Sequence, residues 1–144
     1  MRTRTHLMAG ALAALIVAVT GCGAASSSSP APASQATTSG RQAGAYTISL
    51  AGTPNPAVRG DNTVDATITD ASGQPVADAK VTFDIDMTNM SHGKNVVVAA
   101  PAGNGHYTGK VFYMMPGPWR VIVTVERAGQ APVTARFDVS VNLR

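Results

Sequence analysis

Val81-Thr82-Phe83-Asp84-Ile85-Asp86-Met87-Thr88 decides the fold class. Val81, Phe83, Ile85 and Met87 alternate strictly with Thr82, Asp84, Asp86 and Thr88. Successive side chains of a strand point to opposite faces, so this period of two sends one face into a core and the other into water. Val64, Ala66 and Ile68 alternate in the same way with Asp65, Thr67 and Thr69, and Phe137, Val139 and Val141 with Arg136, Asp138 and Ser140. A helix would need apolar residues three and four apart, and no window sustains that spacing.

Working outward, the alternation predicts strands over residues 45–51, 63–69, 79–87, 95–99, 106–113, 119–127 and 133–142. Turn chemistry separates them: Asp70-Ala71-Ser72-Gly73-Gln74-Pro75, Gly103-Asn104-Gly105 and Met115-Pro116-Gly117-Pro118. Ala128-Gly129-Gln130 joins the last two strands as a hairpin. Residues 45–144 are long enough for one core. The expectation is an all-β, immunoglobulin-like β-sandwich of about seven strands. Trp119 shares a face with Val121, Val123 and Val125 and is expected between the sheets. Cys22 is the single cysteine, so no intramolecular disulfide staples the domain and it is not of the antibody type.

Ahead of the domain the composition changes twice. Residues 1–21 read as a lipoprotein signal peptide: Arg2 and Arg4 form a basic start, and residues 7–19 are apolar but too short to span a bilayer. Val19-Thr20-Gly21-Cys22 resembles a bacterial lipobox, in which Cys22 is acylated and becomes the new N-terminus. Lipidation also removes a lone thiol from an oxidising compartment. Residues 22–44, rich in Ser, Ala, Thr, Pro and Gln, lack the apolar side chains that offset ordering entropy and are expected to form a flexible tether. The predicted location is extracytoplasmic, with the membrane as partner through the lipid.

Charge excludes one class of partner. Loss of Arg2 and Arg4 from the 11 Lys and Arg leaves nine against eight Asp and Glu, a net charge near +1 with no basic run. Nucleic acid binding is not expected.

The methionines carry the chemistry. Of six, Met1 and Met8 fall in the signal. The others form two clusters, Met87-x-x-Met90-x-His92 and Met114-Met115. Thioethers and imidazole suit Cu(I), whereas Zn(II) favours thiolate, imidazole and carboxylate. Met87 lies on the apolar register and doubles as core. Met90 and His92 fall in a loop, where packing does not require them. Met114 shares its register with Phe112, and Met115 with Val111 and Tyr113. Spacing leaves open which of the two is the ligand. The two clusters meet only if the strands ending at Met87 and Tyr113 finish at the same end of the sandwich. His106 starts its strand far from Met114 and is expected at the surface. Asp84 and Asp86 share a polar face and are expected to be solvated. No nucleophile elbow, zinc-protease helix or phosphate loop is present, so an enzyme is not expected.

Pro75-Val76-x-x-Ala79-x-Val81, Met87-x-x-Met90-x-His92, Gly105-x-Tyr107, Phe112-x-Met114 and Gly117-x-Trp119-x-Val121-x-Val123 together resemble the YtkA-like/FixH-like domain over residues 45–141. The resemblance implies an extracytoplasmic immunoglobulin-like sandwich, often membrane-attached and in some members linked to copper handling and cytochrome oxidase assembly. On matching positions it implies Met87, Met90, His92 and Met114 as metal residues. The expected function is Cu(I) binding at the membrane, for delivery or sequestration, with a membrane metal transporter or an oxidase assembly factor as partner. The alternative is a metal-free interaction module that docks onto such a complex.

Overall fold

The computed structural model describes residues 38–90 and 95–143. Among them are ten strands and no helix: β1 (Thr38–Ala43), β2 (Tyr46–Thr53), β3 (Ala57–Val58), β4 (Gly60–Asp70), β5 (Lys80–Met87), β6 (Asn95–Val98), β7 (Ala100–Gly103), β8 (His106–Tyr113), β9 (Gly117–Glu126) and β10 (Val133–Asn142). They form two five-stranded sheets, ordered β1-β2-β4-β8-β7 and β3-β10-β9-β5-β6. The order β2-β4-β8-β7 against β5-β9-β10 is the ABED and CFG arrangement of the immunoglobulin fold. β3 runs parallel to β10 along its edge, while every other pairing is antiparallel. The chain changes sheets at Ala99, whose N–H donates to the Val81 carbonyl at 2.9 Å before β7 joins β8.

The core follows from the alternation. Val81, Phe83 and Ile85 of β5 are buried against Val121, Val123 and Val125 of β9, and Ile48, Ala66, Ile68 and Tyr107 close on them from the facing sheet. Burying each large apolar side chain contributes about 1.5–3 kcal/mol, which makes these rows the main source of stability. The Tyr107 hydroxyl is not wasted inside: it donates to the Val76 carbonyl at 2.9 Å and accepts from the Ala79 N–H at 3.1 Å. Asp70 shapes the turn before β5, its Oδ1 accepting from the N–H groups of Ser72 and Gln74 at 2.8 and 3.0 Å.

Two expectations change. The stretch assigned to a tether up to residue 44 contains β1, which pairs with β2 from Thr38 to Ala43. β1 has no apolar alternation to announce it. It is held by the free edge of β2, and the Arg41 guanidinium lies 5.5 Å from the centre of the Phe137 ring in the other sheet. β3 and β7 were also absent from the expected set, one being two residues long and the other fully exposed with Pro101 on an edge. The signal region and Cys22 lie outside the described residues.

Candidate metal site

Antiparallel pairing decides which strand ends share a pole. Met87 stands opposite Trp119, Gly60 opposite Tyr113, and Gly117 opposite Val141. The Tyr113–Trp119 ring contact and the Arg59 N–H bond to the Asn142 carbonyl join the two sides here, so the ends of β5, β8 and β10 lie with the starts of β4 and β9. Both methionine segments leave the sandwich at this one end. The β5 and β9 sides are tied further, since Thr88 donates to the Pro118 carbonyl from its N–H at 3.1 Å and from its hydroxyl at 3.4 Å.

The four methionines differ in access. Met87 is 6% exposed and closes the core. Its Cε would lie 3.3 Å from a Cβ at Gly117, a position with φ of +134° that glycine suits. Met90 is 50% and Met114 46% exposed, and neither belongs to the core. Met115 is half-buried against the core. The register read from the sequence holds: Met114 follows exposed Phe112 outward, and Met115 follows Val111 and Tyr113 inward. His92 lies outside the described residues.

The backbone carrying Met114 and Met115 is held on both sides. Arg59 Nε donates to the Met114 carbonyl at 3.2 Å, and Trp119 Nε1 donates to the Met115 carbonyl at 3.0 Å. Trp119 is 2% exposed and meets Tyr113 edge to face, with centroids 5.2 Å apart. Burial pushes the Tyr113 phenol up to about 12, so it remains neutral at physiological pH.

Sequence reasoning missed Arg59 and Asn62. Asn62 is buried, its Nδ2 donating to the Val58 and Gly60 carbonyls at 2.6 and 2.9 Å and its Oδ1 accepting from the Val58 N–H at 3.1 Å. It pins the β3–β4 corner from which Arg59 reaches Met114. The signal was available: Asn62 continues the inward register of Val64, Ala66 and Ile68, and a polar group there needs backbone partners.

The other candidates lie apart from this end or outside its chemistry. His106 is at the far end of β8, its Nδ1 2.9 Å from Asp65 Oδ1 and 3.2 Å from Thr67 Oγ1. Asp84 and Asp86 do share the outer face of β5, each half-exposed. Full solvation was not met for Asp86, whose Oδ1 is buried without a hydrogen-bond partner. Its neighbour in register, Arg120, is instead paired with Asp138 at 3.1 Å. Among the described residues no three His, Cys, Asp or Glu side chains gather closely enough to hold a metal ion. At the methionine end the exposed donors are the Met90 and Met114 thioethers, which suit a soft monovalent ion, and the Asp61 carboxylate opposite Phe112, which suits a harder one.

Fold and site define an all-β, immunoglobulin-like domain with methionines concentrated at one end. A family model described as YtkA-like matches residues 40–124, most of the sandwich, and the chain belongs to that family. The match begins inside β1, earlier than the domain boundary expected at residue 45. Among solved structures, the CARDB domain of the PF1109 protein from Pyrococcus furiosus, determined in complex with di-metal ions, is similar at 20% identity. That alignment covers 69% of this chain and 94% of the other, with a TM-score of 0.34. A comparison with curated proteins finds no match.

Proposed function

We propose that this YtkA-like domain is a lipid-anchored, extracytoplasmic Cu(I)-binding protein that delivers or sequesters copper through Met87, Met90, His92, Met114 and Met115. One observation carries the reading: two methionine segments distant in sequence leave the fold at one end, with Met90 and Met114 half exposed. Exposed methionine is oxidisable and contributes little packing, so its concentration at one end asks for a chemical reason. Met90 and Met114 act as the outer thioethers, Met87 and Met115 as the inner ones, and His92 supplies imidazole. The role is binding, not catalysis. Cys22 carries the lipid, and a membrane transporter or an oxidase assembly complex is the class of partner.

Titration of the lipidated chain with Cu(I) against a chromogenic Cu(I) chelator, under reducing conditions, tests the reading. The Met90→Leu/Met114→Leu variant keeps the apolar volume and removes both exposed sulfurs. A loss of affinity of tenfold or more is expected. A second reading, a metal-free module docking onto a membrane transporter or oxidase, is favoured by the exposure of Phe112 beside Met114. Unchanged Cu(I) affinity in the double variant selects that second reading.

A further inference from the structure

The exposed large apolar side chains of the domain are not scattered. Among the described residues they are Met90, Val96, Val98, Phe112, Met114 and Leu143, all between 46% and 70% exposed. Four of these belong to the methionine end. Met90 follows the close of β5, Phe112 and Met114 flank the last residue of β8, and Leu143 follows β10 directly. Val96 and Val98 lie on the edge strand β6, and the turns of the opposite end, at residues 71–74, 103–105 and 127–130, are built from small, polar and charged residues. A single exposed apolar side chain needs no explanation, but a concentration of them at one end marks an interaction surface.

The chain itself indicates what covers it. β1 pairs Thr38 with Leu50 and Ala43 with Tyr46, so it runs away from the methionine end and its first residue is the one nearest that end. Cys22 precedes Thr38 by 16 residues. Fully extended, that length reaches at most about 56 Å. A lipid on Cys22 therefore keeps the domain beside a bilayer, where tethering turns docking into an intramolecular event and weak apolar contacts suffice. Exposed Arg59 stands at the same end, with its Nε–H on the Met114 carbonyl, and exposed Asp61 lies opposite Phe112, so one cation and one anion flank the apolar group. Apolar side chains beside a long basic side chain that can reach headgroups are suited to the bilayer interface, with the tether rather than net charge favouring the contact.

We infer that the methionine end docks on the lipid bilayer, with Met90, Phe112, Met114 and Leu143 entering the interfacial layer and Arg59 at headgroup level. The inference rests on the lipid-anchor reading of Cys22. It gives the copper site an orientation: Met90 and Met114 face the membrane, where a membrane-embedded donor or acceptor meets them, and not the bulk solution.

Tryptophan quenching tests the inference on vesicles of phosphatidylethanolamine and phosphatidylglycerol, three to one, that contain doxyl-labelled lipid. The Phe112→Trp variant probes the methionine end and Ala128→Trp the opposite end, with buried Trp119 as a common background. In the lipidated chain, quenching at least threefold stronger for Phe112→Trp than for Ala128→Trp is expected. Equal quenching, or none at either position in vesicle-bound protein, overturns docking while leaving the anchor intact. Should the chain not stay with vesicles, the anchor reading fails separately. Docking is then judged by adding vesicles to the Cys22→Ser chain, where a blue shift of the Phe112→Trp emission supports it and no shift overturns it. A blue shift that grows with protein concentration in the absence of lipid assigns the surface to a second copy of the chain and overturns the bilayer. Quenching found in native membranes but not in pure lipid assigns it to a membrane protein, with the same result.

Discussion

Met87 and Trp119 face each other across the β5–β9 ladder at the end where both methionine segments leave the fold. Trp119 also holds the Met115 carbonyl through its indole N–H at 3.0 Å and packs edge to face on Tyr113. One buried indole thus links the last rung of the core to the backbone of the second methionine cluster.

Truncation of Trp119 to Ala should cost about 3–5 kcal/mol, because it opens a cavity and leaves the Met115 carbonyl without its donor. Urea denaturation would report this as a lower midpoint with little change in slope. Trp119→Phe keeps the ring contact but not the hydrogen bond, and should cost less. A red-shifted indole emission in the native protein would contradict the burial on which both expectations rest.

Stability and metal affinity should separate at the methionines. Met90 and Met114 are half exposed, so replacing either by Leu should leave the melting temperature nearly unchanged and weaken Cu(I) binding. Met87, at 6% exposure, should affect both when replaced by Ala, costing about 2–5 kcal/mol of stability. His92→Ala should weaken binding, and so should acidification, since a protonated imidazole cannot ligate. Unchanged Cu(I) affinity in the His92→Ala variant would exclude His92 as a ligand.

Tyr113 makes the domain sensitive to alkali. Its pKa is pushed up to about 12 in the fold by burial, against 10.0 when unburied. The folded state thus favours the neutral phenol. That stabilisation is fully present below the unfolded pKa, and is lost as pH rises through the window from about 10 to about 12. The loss amounts to on the order of 2–3 kcal/mol. Tyr113→Phe keeps the ring contact with Trp119 and should lose less stability across that alkaline window. Equal slopes for the two proteins, measured by urea unfolding at successive pH values, would reject the assignment.

Gly105 should tolerate no side chain. Its φ is +74°, and a Cβ there would lie 2.5 Å from the Ile68 carbonyl oxygen, which is backbone. Its own carbonyl accepts from the Ile68 N–H at 2.9 Å, so the turn cannot retreat without breaking that bond. Gly105→Ala is expected to destabilise by roughly 1–3 kcal/mol from backbone strain alone, with the steric clash in addition. Gly129 also has positive φ but nothing within 4 Å, so Gly129→Ala should cost less. Similar losses at both positions in thermal melts would show that conformation, not contact, sets the cost.

Strict alternation made part of this protein legible. Val81 to Met87 and His106 to Tyr113 are strands because one face of each is buried, and burial leaves a period of two in the residues themselves. β1 carries no such trace. Gly40, Arg41 and Gln42 are exposed and join the sheet through backbone pairing with β2, which side-chain pattern does not report. β3 is recognised only by its parallel pairing with β10, and β7 by the edge of β8. Asn62 was legible in principle, as a polar residue on an apolar register.

By itself, the sequence determined the fold class, the buried rows and the kinds of donor atom available, because alternation and side-chain chemistry are local properties. Tertiary structure decided where those donors stand. Pairing of β5 with β9 and of β4 with β8 brings Met87, Met90, Met114 and Met115 to one end. Packing of Met115 against the core sends its neighbour Met114 outward, since adjacent residues of extended chain point to opposite faces. Neither outcome is local: each depends on which strand lies opposite, and that is settled only when the two sheets close on a common core.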